Sequence, residues 1–178
     1  MVQLQRETNS PVFLSVRDRL EGVWLEGVWG NGGPWHGSLG TGNRFPLYAS
    51  AFGRVLLAHA DPAVQDEVYS GGLRALTEHT ATDPLILRSL VNEVKTRGYA
   101  VADSELFDGV WAAAAPVRDG SGAVVASVGL CRDSADDGAL YQRVRPVLAA
   151  ARRLSQELAQ LQPNEDATRR RPTQPRVA

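Results

Sequence analysis

Hydrophobic positions in the first part of the chain form two β-rich runs and then become sparse. The runs lie at residues 12–16 and 22–29, and the charged segment 17–21 between them predicts a hairpin. Residues 2–8 have a helical pattern, but a segment this short does not form a stable helix alone. Residues 30–44 are rich in glycine, and we expect them to form an irregular loop.

A helical period begins at Tyr48 and continues, with two breaks, as far as Gly98. Apolar residues three or four positions apart predict the first helix. The Asp-Pro pairs at 61–62 and 83–84 each place a capping carboxylate before a proline, which indicates two further helix starts. Gly98 ends the last of these helices, because glycine readily adopts the left-handed conformation that follows many helices.

Three more strands are predicted after Gly98, at residues 99–103, 110–117 and 123–131. The turn residues 118–122 join the last two strands into a second hairpin. Strands grouped on both sides of three helices predict an α+β fold with a central antiparallel sheet. A regular alternation of strands and helices is absent, which argues against a doubly wound nucleotide-binding fold.

The last predicted element is a long amphipathic helix from about Asp137 to Leu161. Pro146 either kinks this helix or marks the start of its main segment. Residues 163–178 hold almost nothing to bury, so we expect a disordered tail. The apolar stripe of the helix is formed by Leu140, Val144, Val147, Leu148, Ala151, Leu154, Leu158 and Leu161.

The composition is that of an ordinary globular domain, which needs no disulfide bond or structural metal for its stability. The chain has 178 residues, of which 43% are hydrophobic and 22% charged, with a formal net charge of −1. A single cysteine, Cys131, excludes an internal disulfide. No apolar run approaches the ~20 residues of a membrane span, and residues 1–10 lack a signal peptide's apolar stretch, so we expect a cytoplasmic protein with no membrane contact.

Residues capable of chemistry are scattered along the sequence. His36, His59 and His79 lie far from one another and from Cys131, so no zinc spacing is present and no cofactor motif is recognised. Ser50 precedes a helix without the first glycine of a nucleophile elbow, which favours a helix cap over a nucleophile. Cys131 is interpreted as a buried apolar residue or as part of a pocket wall.

Three stretches, in order, resemble the effector-binding domain of IclR-type transcriptional regulators. Residues 44–58, RFPLYASAFGRVLLA, are similar to the signature P-x-H-A-[ST]-x-x-G-K-A-x-L-A, with Tyr48 in place of histidine and Arg54 in place of lysine. Residues 80–83 followed by VKTRGYAV at 94–101 form the second match, and GVWAAAAPVRD from residue 109 forms the third. The likeness covers roughly residues 5 to 160.

This resemblance implies a GAF-like antiparallel sheet flanked by helices, with a small-molecule pocket beside the sheet. It divides the chain into the end of a linker helix at 1–9, an effector-binding domain at 10–162 and a tail at 163–178. It also implies a homodimer or homotetramer that contacts DNA only through a winged helix-turn-helix domain absent from this chain. The chain is then a fragment of a regulator or a stand-alone sensor, and we favour the fragment.

The resemblance also suggests which residues contact the effector. Two family serines are replaced by Gly129 and Cys131, so the pocket has fewer polar anchors. We expect a small organic effector, aromatic or carboxylic and more apolar than the short oxo-acids bound by some members of the family, oriented by Asp103 or a backbone amide. Trp35 stands in a glycine-rich loop, where a large ring has little reason to occur unless it closes a cavity. The candidate ligand-binding residues are Trp35, Leu39, Ala51, Phe52, Ala102, Asp103, Trp111, Ala112, Gly129 and Cys131.

Two other functions remain open at this point. An enzyme would use Cys131 or Ser50 as nucleophile and would need one of the histidines within hydrogen-bonding distance. A purely structural oligomerisation module is favoured if side chains fill the space beneath Trp35 and Phe52. The final helix and the first hairpin are the two candidates for the subunit contact. The alternative for the helix is that it only covers the sheet.

Overall fold

The computed structural model describes residues 1–29, 39–133 and 140–161. Within these residues, six strands form one antiparallel sheet in the order β3-β2-β1-β6-β5-β4. The strands are β1 (Val12–Asp18), β2 (Glu21–Val28), β3 (Arg44–Pro46), β4 (Ala100–Asp103), β5 (Val110–Arg118) and β6 (Val124–Asp133). The helices are α1 (Val2–Thr8), α2 (Ala51–Ala58), α3 (Pro62–Ser70), α4 (Pro84–Arg97) and α5 (Leu140–Leu161).

The sheet is buried on both faces. The side chains of β5 alternate between two cores: Ala112 and Ala114 pack with α2 and α4, whereas Trp111, Ala113 and Ala115 pack with α1 and α5. This alternation follows from the two-residue period of a strand. The predicted α+β fold with a central antiparallel sheet flanked by helices and a long last helix is confirmed.

Local signals placed most helix ends correctly. The Asp83 carboxylate accepts a hydrogen bond from the Leu85 amide at 2.7 Å, and Gly98 ends α4 with a φ of 77°. Ser50 caps α2, as expected, by accepting from the Gly53 amide at 2.9 Å. The capping role predicted for Asp61 is wrong, because its side chain makes no cap hydrogen bond although α3 begins at the following residue.

Strand β3 corrects the loop expected at residues 30–44, because Arg44 belongs to this strand. Its three residues pair with Glu21–Val23 at the edge of the sheet. Phe45 is 2% exposed because its ring lies over Gly22, where an added Cβ would come within 2.2 Å of Phe45 Cζ. A three-residue strand offers too little alternation to be recognised from sequence.

Helix α5 lies across the second face of the sheet. Val144, Val147 and Ala151 are at most 4% exposed, so the apolar stripe covers the sheet, which is one of the two alternatives left open for this helix. Pro146 lies inside the helix and does not mark its start. Leu4 is fully buried in the same core, so packing stabilises the short helix α1.

The domain boundaries given above stay predictions, and the expected tail at 163–178 lies outside the described residues. Among the described helices, none combines the length and the apolar character needed to cross a lipid bilayer.

Candidate ligand-binding site

A small cavity lies between α2, the loop at residues 104–109 and the α2-facing side of the sheet. Its free volume is about 20 Å³, which is room for a single water molecule. An organic ligand therefore enters only if side chains move apart. The described residues that line the cavity are Trp24, Leu39, Ala49, Ser50, Phe52, Ala102, Glu105, Leu106, Phe107, Val110, Ala112 and Cys131.

Aromatic rings form one wall. The rings of Trp24 and Phe52 meet edge to face with centroids 4.8 Å apart, and Trp24 stacks on Phe45 at 4.2 Å. Phe13 lies behind them, 5.4 Å from Trp24 and 6.4 Å from Phe52 between centroids. Edge-to-face and offset contacts of this kind stabilise a fixed ring arrangement. This wall is therefore the ordered side of the cavity.

A glycine brings α2 close enough to form the cavity. A Cβ at Gly53 would lie 2.4 Å from the backbone oxygen of Leu47, so only glycine allows the first helical turn to pack against that backbone. The close approach fixes the positions of Ser50 and Phe52, which flank the helix start and line the cavity. This contact explains the glycine in the motif at residues 44–58.

Two threonines hold the loop that forms the opposite wall. Thr77 Oγ1 donates to the carbonyl oxygen of Ser104 at 2.6 Å, and Thr80 Oγ1 donates to that of Glu105 at 2.7 Å. Ser104 has a φ of 56°, a left-handed conformation that turns the chain after β4. Thr80, the first residue of the matched stretch 80–83, thus shapes the cavity without lining it.

A buried ion pair joins α2 to the same loop. Arg54 donates through Nη2 to Glu105 Oε1 at 2.5 Å and to the backbone oxygen of Val101 at 3.0 Å. The side chains of Arg54 and Glu105 are 2% and 13% exposed. Two buried polar atoms of the pair, Arg54 Nε and Glu105 Oε2, have no hydrogen-bond partner among the described residues.

Cys131 lies in the cavity wall as a neutral thiol. Burial raises the pKa of Cys131 to about 12, so the nucleophilic thiolate is scarce near neutral pH. Among the described residues, no histidine side chain hydrogen-bonds to Cys131 or Ser50, and the Ser50 oxygen accepts from a backbone amide. The nucleophile and base that an enzyme needs are therefore not paired in this part of the chain, and His36 lies outside it.

Five of the ten candidate ligand-binding residues meet at the cavity. The structure brings together Leu39, Phe52, Ala102, Ala112 and Cys131.

The other candidates lie elsewhere. Ala51 is fully buried in the same core but does not line the cavity, and Asp103 is exposed at the end of β4, where its carboxylate accepts from the Ser104 hydroxyl at 3.0 Å. Gly129 faces Ala114 across the ladder, where an added Cβ would lie 2.1 Å from the Ala113 oxygen, so a serine side chain has no room there.

Trp111 is a clear correction. It is 1% exposed in the core beneath α5, on the opposite face of the sheet from the cavity, so it is not a cavity wall. Trp35 lies outside the described residues.

Sequence reasoning missed most of the loop that faces the aromatic wall. Leu106, Phe107 and Val110 carry no pattern that separates them from ordinary turn and strand residues. The sequence does contain a signal for Glu105. Arg54 is a cation within an apolar helix, and its burial requires an anion nearby. Trp24 is 1% exposed in the core and also lines the cavity.

No group of three or more potential metal-ligating side chains occurs within residues 1–29, 39–133 and 140–161.

Comparison with known proteins places this fold in a family. The model of the bacterial transcriptional regulator IclR C-terminal domain matches residues 1–158. The Pca regulon regulatory protein of Pseudomonas putida is 34% identical over 118 residues, covering 65% of this chain and 40% of that protein. The Glycerol operon regulatory protein of Streptomyces griseus is 34% identical over 122 residues, covering 65% and 48%. The chain thus spans less than half the length of these relatives.

Solved structures of similar proteins support the same family assignment. An IclR homolog from Microbacterium hydrocarbonoxydans complexed with 4-hydroxybenzoate superposes with a TM-score of 0.81 at 27% identity, covering 89% of this chain and 64% of that one. The C-terminal domain of E. coli KdgR gives a TM-score of 0.78 at 26% identity, covering 89% and 93%. With three motifs, the superposed fold and the family model in agreement, the chain belongs to the IclR family of bacterial transcriptional regulators and corresponds to its effector-binding domain.

Proposed function

We propose that this domain senses a small aromatic compound in the cavity between α2 and the sheet and reports its presence to a DNA-binding domain. The observation that carries the proposal is the cavity itself, which has an ordered aromatic wall and almost no polar groups. An apolar cavity with a few polar groups is the usual form of a small-molecule site. The similar protein that holds 4-hydroxybenzoate supports an aromatic acid as the first ligand to test.

Ligand entry requires the cavity to expand. A cavity of roughly 150 Å³ accommodates a benzene ring, whereas the free volume here is about 20 Å³. Leu106 and Phe107 are partly exposed and lie in the loop, whereas Trp24 and Phe52 are 1% exposed and packed on other rings. We therefore assign the expansion to outward movement of Leu106 and Phe107. Binding energy offsets the cost of this movement, which makes the domain responsive to its ligand.

The signal needs no chemical reaction. A ligand that prefers one arrangement of two subunits shifts the population of that arrangement by its differential affinity, about 1–3 kcal/mol in typical cases. We propose a homodimer or homotetramer in which a winged helix-turn-helix domain, outside this chain, contacts DNA. Because α5 covers the sheet, the first hairpin is the better candidate for the subunit contact.

Isothermal titration calorimetry tests the choice of ligand. The chain is titrated with 4-hydroxybenzoate and benzoate, and with glyoxylate and pyruvate as short oxo-acids. We expect the aromatic acids to bind more tightly, because the wall offers rings and aliphatic carbon rather than hydroxyl groups. A strong preference for an oxo-acid would refute the aromatic assignment.

A structural oligomerisation module is the second candidate, and the small free volume is the observation that favours it. Such a module binds none of these compounds and keeps the same subunit count with and without them. Native mass spectrometry of the purified chain distinguishes the two functions, because it reports both the oligomer and any retained small molecule.

A further inference from the structure

The polar groups of the cavity are few and unequal. Among the described residues that line the cavity, four have side chains with a polar atom. These are Ser50, Glu105, the indole of Trp24 and the thiol of Cys131. Ser50 Oγ accepts a hydrogen bond from the Gly53 amide, which caps α2. Glu105 uses Oε1 for Arg54, while its Oε2 is shielded from solvent and accepts no hydrogen bond from the described residues.

We propose that Glu105 selects the ligand by accepting a hydrogen bond from a hydroxyl group on it, and that it keeps a ligand carboxylate away from this end of the cavity. The inference rests on the proposed function, since it concerns the same cavity. It names the ligand class more narrowly as an aromatic compound with a phenolic or similar donor, and it replaces Asp103, which is exposed and outside the cavity, as the orienting group.

The ion pair determines what Glu105 recognises. Arg54 donates to Oε1 of Glu105, and a carboxylate accepts hydrogen bonds and donates none. A ligand hydroxyl can satisfy Oε2, whereas a methyl group in the same place leaves the oxygen unpaired. A ligand carboxylate there would meet a like charge in a poorly hydrated space, where repulsion is stronger than in water.

The geometry also limits where Glu105 can move. Its backbone oxygen is held by Thr80 at 2.7 Å and its carboxylate by Arg54, whose second contact is the backbone of β4. The acceptor is therefore fixed before a ligand arrives. A pre-positioned acceptor discriminates well, because little conformational entropy is lost when the hydrogen bond forms.

Matched ligand pairs test this inference without any mutation. Calorimetry with the 178-residue chain compares 4-hydroxybenzoate with 4-methylbenzoate, and phenol with toluene. A hydroxyl and a methyl group have similar size, so each pair differs in the hydrogen bond and in the cost of removing the hydroxyl from water. We expect each hydroxyl compound to bind about tenfold more tightly or better, as for other hydrogen bonds to charged groups.

The variant Glu105→Gln then assigns the effect to this residue. It keeps the side chain's shape and removes its charge, and we expect the hydroxyl preference to shrink to less than about threefold. Glu93→Gln is the matched control, because Glu93 pairs with Arg97 on the surface and lies outside the cavity; it should keep the full preference. Melting curves confirm that both variants are folded.

The outcomes separate the inference from the function on which it rests. Equal binding of the two members of each pair to the unmodified chain overturns the role of Glu105 but leaves aromatic sensing intact. A full hydroxyl preference in folded Glu105→Gln also overturns it. If none of the four aromatic compounds binds, the proposed function itself fails.

Discussion

Arg54 of α2 and Glu105 of the β4–β5 loop form an ion pair at 2.5 Å that is largely shielded from solvent on both sides. By contrast, the ion pairs that Arg44, Arg88 and Arg97 form have side chains that are 45% to 67% exposed. The pair connects α2, which carries part of the aromatic cavity wall, to the loop that carries Leu106 and Phe107. We therefore expect loss of the pair to lower the stability of the domain and to alter the cavity.

Replacing Arg54 with methionine should destabilise the domain strongly. The substitution leaves a buried Glu105 carboxylate without its partner, and breaking a buried pair in this way costs about 3–5 kcal/mol. Arg97→Met is the control, because it breaks an exposed pair worth about 0.5 kcal/mol. Urea denaturation measures the free energy of unfolding of both variants. Similar losses in the two variants would contradict the importance of the buried pair.

The two Asp-Pro helix starts should differ in stability. Asp83→Ala removes a side-chain cap on α4 and should cost about 1 kcal/mol. Asp61→Ala removes no cap hydrogen bond, so its cost should stay below about 0.5 kcal/mol. Equal losses in the free energy of unfolding would show that the cap hydrogen bond of Asp83 is unimportant.

Two valines of β5 provide a test of which face binds the ligand. Val110 lines the cavity and Val117 lies in the core beneath α5, and they are 7% and 4% exposed. Either valine-to-alanine change removes two buried carbon groups and should cost about 2 kcal/mol. Only Val110→Ala should change the affinity for 4-hydroxybenzoate, by enlarging the cavity. An equal change in Val117→Ala would place the ligand elsewhere.

Cys131 should make stability depend on alkaline pH. Burial raises the pKa of its thiol from 9.0 to about 12, so the folded chain keeps a proton that the unfolded chain releases above pH 9. The contribution of the thiol is fully present below pH 9 and is lost progressively as the pH rises towards 12, by up to about 1.4 kcal/mol per pH unit. Urea denaturation at several pH values from 8 to about 10.5 measures this loss in the free energy of unfolding.

The control for this pH dependence is Cys131→Ala. Other groups also titrate in that range, so the informative quantity is the difference between the two proteins. The stability of the unmodified chain should fall more steeply with pH than that of the variant. Parallel curves would mean that the thiol is not desolvated in the folded state.

Signals confined to neighbouring residues predicted much of the fold correctly. Gly98, the cap at Asp83 and the turn at 118–122 each depend on local backbone chemistry, and all occur in the structure. It was harder to predict which side chains of β5 face the cavity, because residues 110–117 are apolar almost throughout. A strand that is buried on both sides shows no alternation of apolar and polar residues. With Ala112 in the cavity, the strand period requires Trp111 to point away.

The polar part of the site was the least predictable. Glu105 follows β4 in a turn whose conformation depends on Ser104 and on two threonines more than 20 residues earlier. Contacts between distant segments leave no periodic trace in a sequence. The usable clue in the sequence was a charged residue, Arg54, within an otherwise apolar helix, which indicates the need for an anion without locating it.

The most direct test of ligand sensing is a crystal structure of the chain grown with 4-hydroxybenzoate. We predict the ring against Trp24 and Phe52, its hydroxyl group at Glu105 Oε2, and Leu106 and Phe107 displaced outward from their positions here. A structure in which this space stays filled by the same side chains, with the compound absent or bound on another surface, would contradict the account.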